Sequence, residues 1–373
     1  GEAFSEFGNS VSSGDFNRDG YSDVVVGACR FNSNTGRAYI YFGGSSMDTT
    51  ADVIFTGEGT GNYFGQHFSS TGDVNNDGYS DFIVGAYGNS SNKGRAYIYF
   101  GGSSMDNTAD VIMNGESNGN QFGSSASSAG DVNGDGFDDA IIGAYTYNSN
   151  VGRAYIFYGG AAMDNIADVN FTGANYSSFG ASVSGAGDLN GDGYDDVIIS
   201  SSSLYTFTYN SYIFFGGSSM NNIADVTLSG LAESVSGAGD VNGDGYSDLI
   251  IGATFNDAGG SNAGRAYIFF GGSSMNNVAD IILTGAAVSD NFGTSVLTAG
   301  DVNGDGYSDV IVGASSNDAG GNDAGRAYVY FGGSIMNDIA DVIMTGAAAN
   351  DLFGGNLSSA GDVNGDGYSD VII

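Results

Sequence analysis

Short apolar runs, each bounded by Gly, Asn, Ser or Asp, follow one another along the whole chain. Near the N-terminus four segments read as strands: about Gly8 to Ser13, Ser22 to Gly27, Arg37 to Phe42 and Asp52 to Thr56. None is long enough for a helix, and the later three carry the β-branched and aromatic residues that suit a pleated surface. The third, Arg37-Ala38-Tyr39-Ile40-Tyr41-Phe42, returns at Arg95, Arg153, Arg265 and Arg326. Both of its faces are apolar or aromatic, which calls for sheet packed against sheet on each side. Repeat units bury such faces only against each other, so the pattern predicts one domain over residues 1–373.

Between the first two strands of every unit lies one nine-residue spelling. Its copies start at Asp15, Asp73, Asp131, Asp188, Asp240, Asp301 and Asp362, with Asn at the third position as Asn17, Asn75, Asn133, Asn190, Asn242, Asn303 and Asn364. The fifth position is Asp19, Asp77, Asp135, Asp192, Asp244, Asp305 or Asp366, followed by Gly. An aromatic stands seventh, as Tyr21, Tyr79, Phe137, Tyr194, Tyr246, Tyr307 and Tyr368. The ninth is again Asp, as Asp23, Asp81, Asp139, Asp196, Asp248, Asp309 and Asp370. Side-chain oxygens at this spacing, with a glycine where the backbone must fold back, are what Ca²⁺ requires. Mg²⁺ fits less well, because it prefers a rigid octahedron and keeps its waters. Turn chemistry alone accounts for Asp and Gly but not for the acid at the ninth position. About seven Ca²⁺ ions are therefore expected, each taking a carbonyl from the aromatic residue while the ring enters the core. Arg18, at the fourth position of the first loop, is expected to weaken that site.

Successive loops are 58, 58, 57, 52, 61 and 61 residues apart, room for about four short strands each. Four-stranded sheets stacked in a circle close the surface that one unit leaves open. The predicted fold is all-β: a seven-bladed β-propeller of four-stranded antiparallel blades, with six full repeats and a partial seventh from about residue 346. That last blade stops at Val371-Ile372-Ile373 and leaves an unpaired edge. Either the natural chain continues or a neighbouring molecule completes the blade. The chain starts and stops inside a repeat, as a mature form or an excised segment would.

Charge narrows the partners. Forty-three acids against eight bases give a formal charge of −35, which excludes nucleic acid and argues against anionic membranes. The loops account for 21 of those acids. No apolar stretch is long enough to insert into a membrane, and none of these residues reads as a signal peptide. The one cysteine, Cys29, reads as a small buried residue, and the one histidine, His67, as a surface residue. Five of the eight bases are the third-strand arginines, each accompanied by an acid at the fourth strand (Asp52, Asp110, Asp168, Asp280, Asp341), which suggests structural pairing. Nothing resembles a nucleophile beside a base, so no enzyme is expected. Asn-X-Ser/Thr triplets at Asn89, Asn170, Asn175 and Asn356 are weak hints of glycosylation.

Three motifs recur in fixed order: Phe-Gly before the first strand (Phe7-Gly8, Phe64-Gly65, Phe122-Gly123, Phe179-Gly180, Phe292-Gly293, Phe353-Gly354), the Asp loop, and Gly-Ala after the second strand (Gly27-Ala28, Gly85-Ala86, Gly143-Ala144, Gly252-Ala253, Gly313-Ala314). Together they resemble the FG-GAP repeat, over essentially the whole chain. The resemblance implies the seven-bladed propeller of integrin α subunits and related bacterial surface proteins. The proline that usually follows Gly-Ala in that family is missing throughout. The fifth unit reads Leu231-Ala232-Glu233-Ser234 in place of Phe-Gly, and the fourth reads Ser200-Ser201 in place of Gly-Ala. Drift or a partner-binding edge at Ser200–Ser234 would explain this.

The expected function is an extracellular or cell-surface calcium-binding module, structural or adhesive, that self-associates through the incomplete blade into a layer or filament. Two alternatives stand beside it: a monomeric integrin-like adhesin that binds a protein or glycan, and the non-catalytic propeller of a larger secreted enzyme.

Overall fold

The computed structural model describes residues 5–203, 208–231 and 233–373. Residues 204–207 and 232, which fall within the irregular stretch Ser200–Ser234, lie outside the described residues. The first unit forms β1 (Phe7–Gly14), β2 (Asp23–Ala28), β3 (Arg37–Tyr41) and β4 (Val53–Thr56), close to the segments expected. They pair in sequence order as an antiparallel meander. Five more units repeat it, and a two-stranded sheet, Ser358–Gly361 with Asp370–Ile372, follows. The first strands of all units stand side by side around an axis, and the last packs between the sixth unit's first strand and β1. The expected all-β propeller of four-stranded blades is observed as six complete blades and a partial one. The outer edge of Asp370–Ile372 carries no paired strand among the described residues.

Core lies between blades. Ile83, Ile98 and Met113 of the second blade meet Phe122, Ile142 and Phe157 of the third, all with little or no exposure. Burying each such side chain contributes about 1.5–3 kcal/mol. The inner strands must approach closely around the axis, and they carry Ser, Ala and Gly. Their hydroxyls bond across blades: Ser125 Oγ donates to the Gly180 carbonyl at 2.9 Å, and Ser13 Oγ to that of Ser359 at 2.9 Å. His67 lies here, part-buried on the channel wall, so it is not the surface histidine expected. Desolvation lowers its pKa.

The Phe-Gly and Gly-Ala motifs serve one contact. In five blades the Gly-Ala glycine of the second strand lies against the Phe-Gly glycine of the next blade; a Cβ on Gly85 would sit 2.2 Å from the Gly123 carbonyl oxygen. The two irregular units face each other across this same contact. Where the fifth blade lacks Phe-Gly, the fourth has Ser200, fully buried, with its hydroxyl accepting from Ser182 N–H. Ser211 Oγ donates to the Leu231 carbonyl at 2.7 Å. The departures compensate one another.

The arginines do not pair with the fourth-strand acids. In an antiparallel hairpin the start of the third strand faces the end of the fourth, so Arg37 sits opposite Thr56. Asp52 caps the other end, accepting from Phe42 N–H at 2.8 Å, and its counterparts do the same. Arg95 and Arg153 instead reach Glu58 and Glu116 of the preceding blade at 2.6 Å. Asn89 is buried and donates to Glu58, which removes it as a glycosylation acceptor.

The tight contact at Gly94 is a direct test of the stacking. It has φ +85°, and a Cβ there would meet the Phe122 oxygen at 2.1 Å, whereas Gly61 has φ +78° with open space around it. Gly94→Ala should cost roughly 3 kcal/mol or more, and Gly61→Ala about 1 kcal/mol, in denaturant titration. Equal losses would show that backbone conformation, not close approach, sets the requirement.

Candidate metal centre

Each Asp loop joins the first and second strands, so all seven gather at one end of the barrel. The third loop shows the shared geometry. Asp131 Oδ1 accepts from Gly134 and Asp135 N–H at 2.7 and 3.0 Å, and its Oδ2 from Gly136 N–H at 2.9 Å. Asn133 Oδ1 accepts from Asp135 N–H at 2.8 Å, and Asp135 Oδ1 from Phe137 N–H at 3.1 Å. Gly136 has φ +89°, the left-handed backbone that the fold-back needs. The fourth position is left-handed too, as Gly134 at +75° or Arg18 at +59°.

The second residue, which the motif leaves unconstrained, is the anchor. Phe16, Val74, Val132, Leu189 and Val241 are fully buried between blades. Their N–H groups donate to the ninth-position carboxylate, as Val132 N–H does to Asp139 Oδ2 at 3.0 Å. The other oxygen accepts from a glycine just past the third strand, Gly159 N–H to Asp139 Oδ1 at 2.8 Å. Asp23, Asp81, Asp139, Asp196, Asp248 and Asp309 have no exposed surface, and burial pushes the first five up to about 7 and Asp309 upward. Among the described residues none of the six has a basic partner. Asp370 lacks the glycine donor and is part-buried.

The expected ring placement is corrected. The aromatic of one loop lies not in the core but over the fourth position of the preceding loop: a Cβ on Gly191 would sit 2.5 Å from the Tyr246 ring, and one on Gly365 equally near Tyr21. This explains the glycines there. Arg18 instead extends over Tyr79, 5.8 Å from the ring centre. The eighth residue, unremarked in the motif, donates its N–H to the first carbonyl of the preceding loop in all seven cases, at 2.9–3.4 Å. Ser22 N–H to the Asp362 carbonyl closes the circle. In Asp138 and Asp195 the side chain also crosses, accepting from Asp73 and Asp131 N–H at 2.8 Å. The recurring Ser or Asp was the signal for this contact.

The donor set suits a hard cation: hard oxygens only, a carbonyl-bearing seventh residue, and a buried carboxylate lacking a countercharge. Yet among the described residues no three acidic, His or Cys side chains converge on one point. Their oxygens accept from the loop's own amides instead. Residues at the first, third, fifth, seventh and ninth positions would hold an ion, which would supply the missing positive charge.

The FG-GAP repeat family matches residues 7–41, 64–99, 122–157, 179–214, 232–269 and 292–330, more than half of the chain. Integrin alpha-5 of Xenopus laevis is 35% identical over 207 residues, 50% of this chain and 19% of that protein. Integrin alpha-V of Gallus gallus is 31% identical over 209 residues, 52% and 20% of the two chains. Phosphatidylinositol-glycan-specific phospholipase D of Bos taurus is 31% identical over 177 residues, 41% and 21%. The chain thus spans about a fifth of these relatives. Its backbone follows Sqt1 from Chaetomium thermophilum with a TM-score of 0.51 at 12% identity, over 95% of this chain and 75% of that one, a likeness of fold alone. On its repeated motifs, their shared geometry and these matches, the chain belongs to the FG-GAP repeat family.

Proposed function

We propose that this chain is a calcium-stabilised, seven-bladed propeller that serves as an extracellular adhesive or structural module without catalytic chemistry. The observation that carries it is the set of six fully buried ninth-position carboxylates with no basic partner among the described residues. Each costs several kcal/mol if left charged and unpaired, and a divalent ion in the loop removes that cost. Open loop sites of this kind fill where calcium is plentiful, outside the cell. The integrin alpha relatives favour an adhesive role over the phospholipase one. The non-catalytic propeller of a larger secreted enzyme is the second reading, supported by the phospholipase match. No helix among the described residues is long and apolar enough to cross a membrane. Copies would associate by pairing a strand with the open edge of Asp370–Ile372. Sedimentation in calcium should then show concentration-dependent species, and a monomer at every concentration removes this part of the proposal.

Calcium should raise the melting temperature well above that in chelator, since saturation at 100 times Kd contributes about 2.7 kcal/mol per site. Magnesium at equal concentration should do much less. A melting temperature indifferent to both rejects the proposal.

The pH dependence should reverse with the ion. In chelator, the folded pKa of Asp23, Asp81, Asp139, Asp196 and Asp248 is about 7 against an ordinary 3.8, so the folded state holds more protons between those values. Stability is then fully present below about pH 4 and is lost as pH rises through about 7. With calcium bound the carboxylates are held ionised, and stability should instead fall on acidification. Melting curves between these limits, with and without chelator, read the sign directly.

A further inference from the structure

The end of the barrel opposite the Asp loops is built from the turns between second and third strands and the linkers between blades. In the first linker Tyr63 stacks on Tyr87, ring centres 4.9 Å apart, and its hydroxyl accepts from Asn34 Nδ2 at 3.0 Å. In the second linker the same place, with the same left-handed backbone, is Gln121. A groove of about 480 Å³ lies here between the second and third blades, walled by Asn92, Asn118, Asn120, Gln121, Asn148 and Asn150. A second cavity of about 260 Å³ shares Asn148 and Ser149 and ends on Tyr176, which is 52% exposed. Thr146 Oγ donates to the Gly119 carbonyl at 2.7 Å and to Gln121 Oε1 at 3.2 Å, so one wall is preset. Asn120 is only 6% exposed, lines the groove, and has no hydrogen bond to its side-chain amide among the described residues.

We infer that this groove binds a neutral oligosaccharide. No lining side chain is charged, in a chain of net charge −35. Side-chain amides present a donor and an acceptor together, which suits neighbouring hydroxyls. A sulfated or phosphorylated sugar would call for Arg or Lys, which the walls lack. A protein partner would call for apolar or arginine anchors at the centre, and the centre is amide. The inference rests on reading the chain as a binding module, and is independent of whether the loops hold calcium.

Calorimetric titration with maltohexaose, cellohexaose, chitohexaose and mannohexaose, with a heparin hexasaccharide alongside, tests it in constant calcium. At least one neutral sugar should bind. Gln121→Tyr restores the residue that the first linker carries and should weaken binding at least about tenfold while leaving the melting temperature unchanged. Asn120→Leu should also weaken it. Binding of the heparin fragment alone, no binding by any of the four neutral sugars up to ~10 mM, or undiminished affinity in Gln121→Tyr would each overturn the inference. A protein that ignores sugars yet still gains melting temperature with calcium fails here alone and leaves the proposed scaffold intact.

Discussion

A carboxylate sealed between two blades, with only backbone N–H groups to receive it, is the constraint on which the rest of this structure turns. Asp139 and its counterparts tie the start of the loop, through the second residue, to the exit of the third strand. Two N–H bonds lower the cost of burying the charge but do not cancel it, as the raised pKa shows. The same aspartate thus fixes the blade's internal geometry and leaves a charge for an ion to balance. Turn and metal site are one device, not alternatives.

The loops do not act singly. The eighth N–H of each grips the first carbonyl of the one before, the residue after the third-strand glycine grips the second carbonyl, as Gly160 N–H does that of Val74, and the aromatic covers the fourth position. Gly44 N–H to the Val363 carbonyl carries this linkage from the partial blade to the first. Because each loop is partly the floor of the next, a change at one is felt by its neighbour through contacts of fixed length. On the opposite end the linkers bond to the neighbouring turns through backbone groups, as Tyr63 N–H does to the Asn34 carbonyl and Gln121 N–H to that of Asn92, and the side chains at such positions differ from blade to blade. Uniformity at one end and variety at the other follow from the same ring.

Glycine pairs set how close the blades can come. Gly85 on Gly123 and Gly143 on Gly180 leave no room for a side chain, and Ser200 appears only where the facing motif is missing. A departure on one side of a contact is matched on the other, which is what close packing demands of two surfaces with no slack. The irregular units therefore need no functional explanation at that contact.

The sequence by itself determined the strand order, the blade unit and the loop residues, because these depend on local period, spacing and a motif repeated without interruption. Apolar and aromatic residues on both faces of Arg37-Ala38-Tyr39-Ile40-Tyr41 and a glycine that must fold back are properties of a few consecutive residues. Tertiary structure alone decided what those residues touch. It turned the aromatic rings onto neighbouring loops, gave the core position to the second residue, sent Arg95 to Glu58 rather than Asp110, and placed His67 on the channel wall. It also opened the amide groove where Gln121 replaces a tyrosine. Each of these is a contact between different blades or the two ends of one hairpin, set by register and by the curvature of a closed ring. No pattern confined to one repeat contains that information.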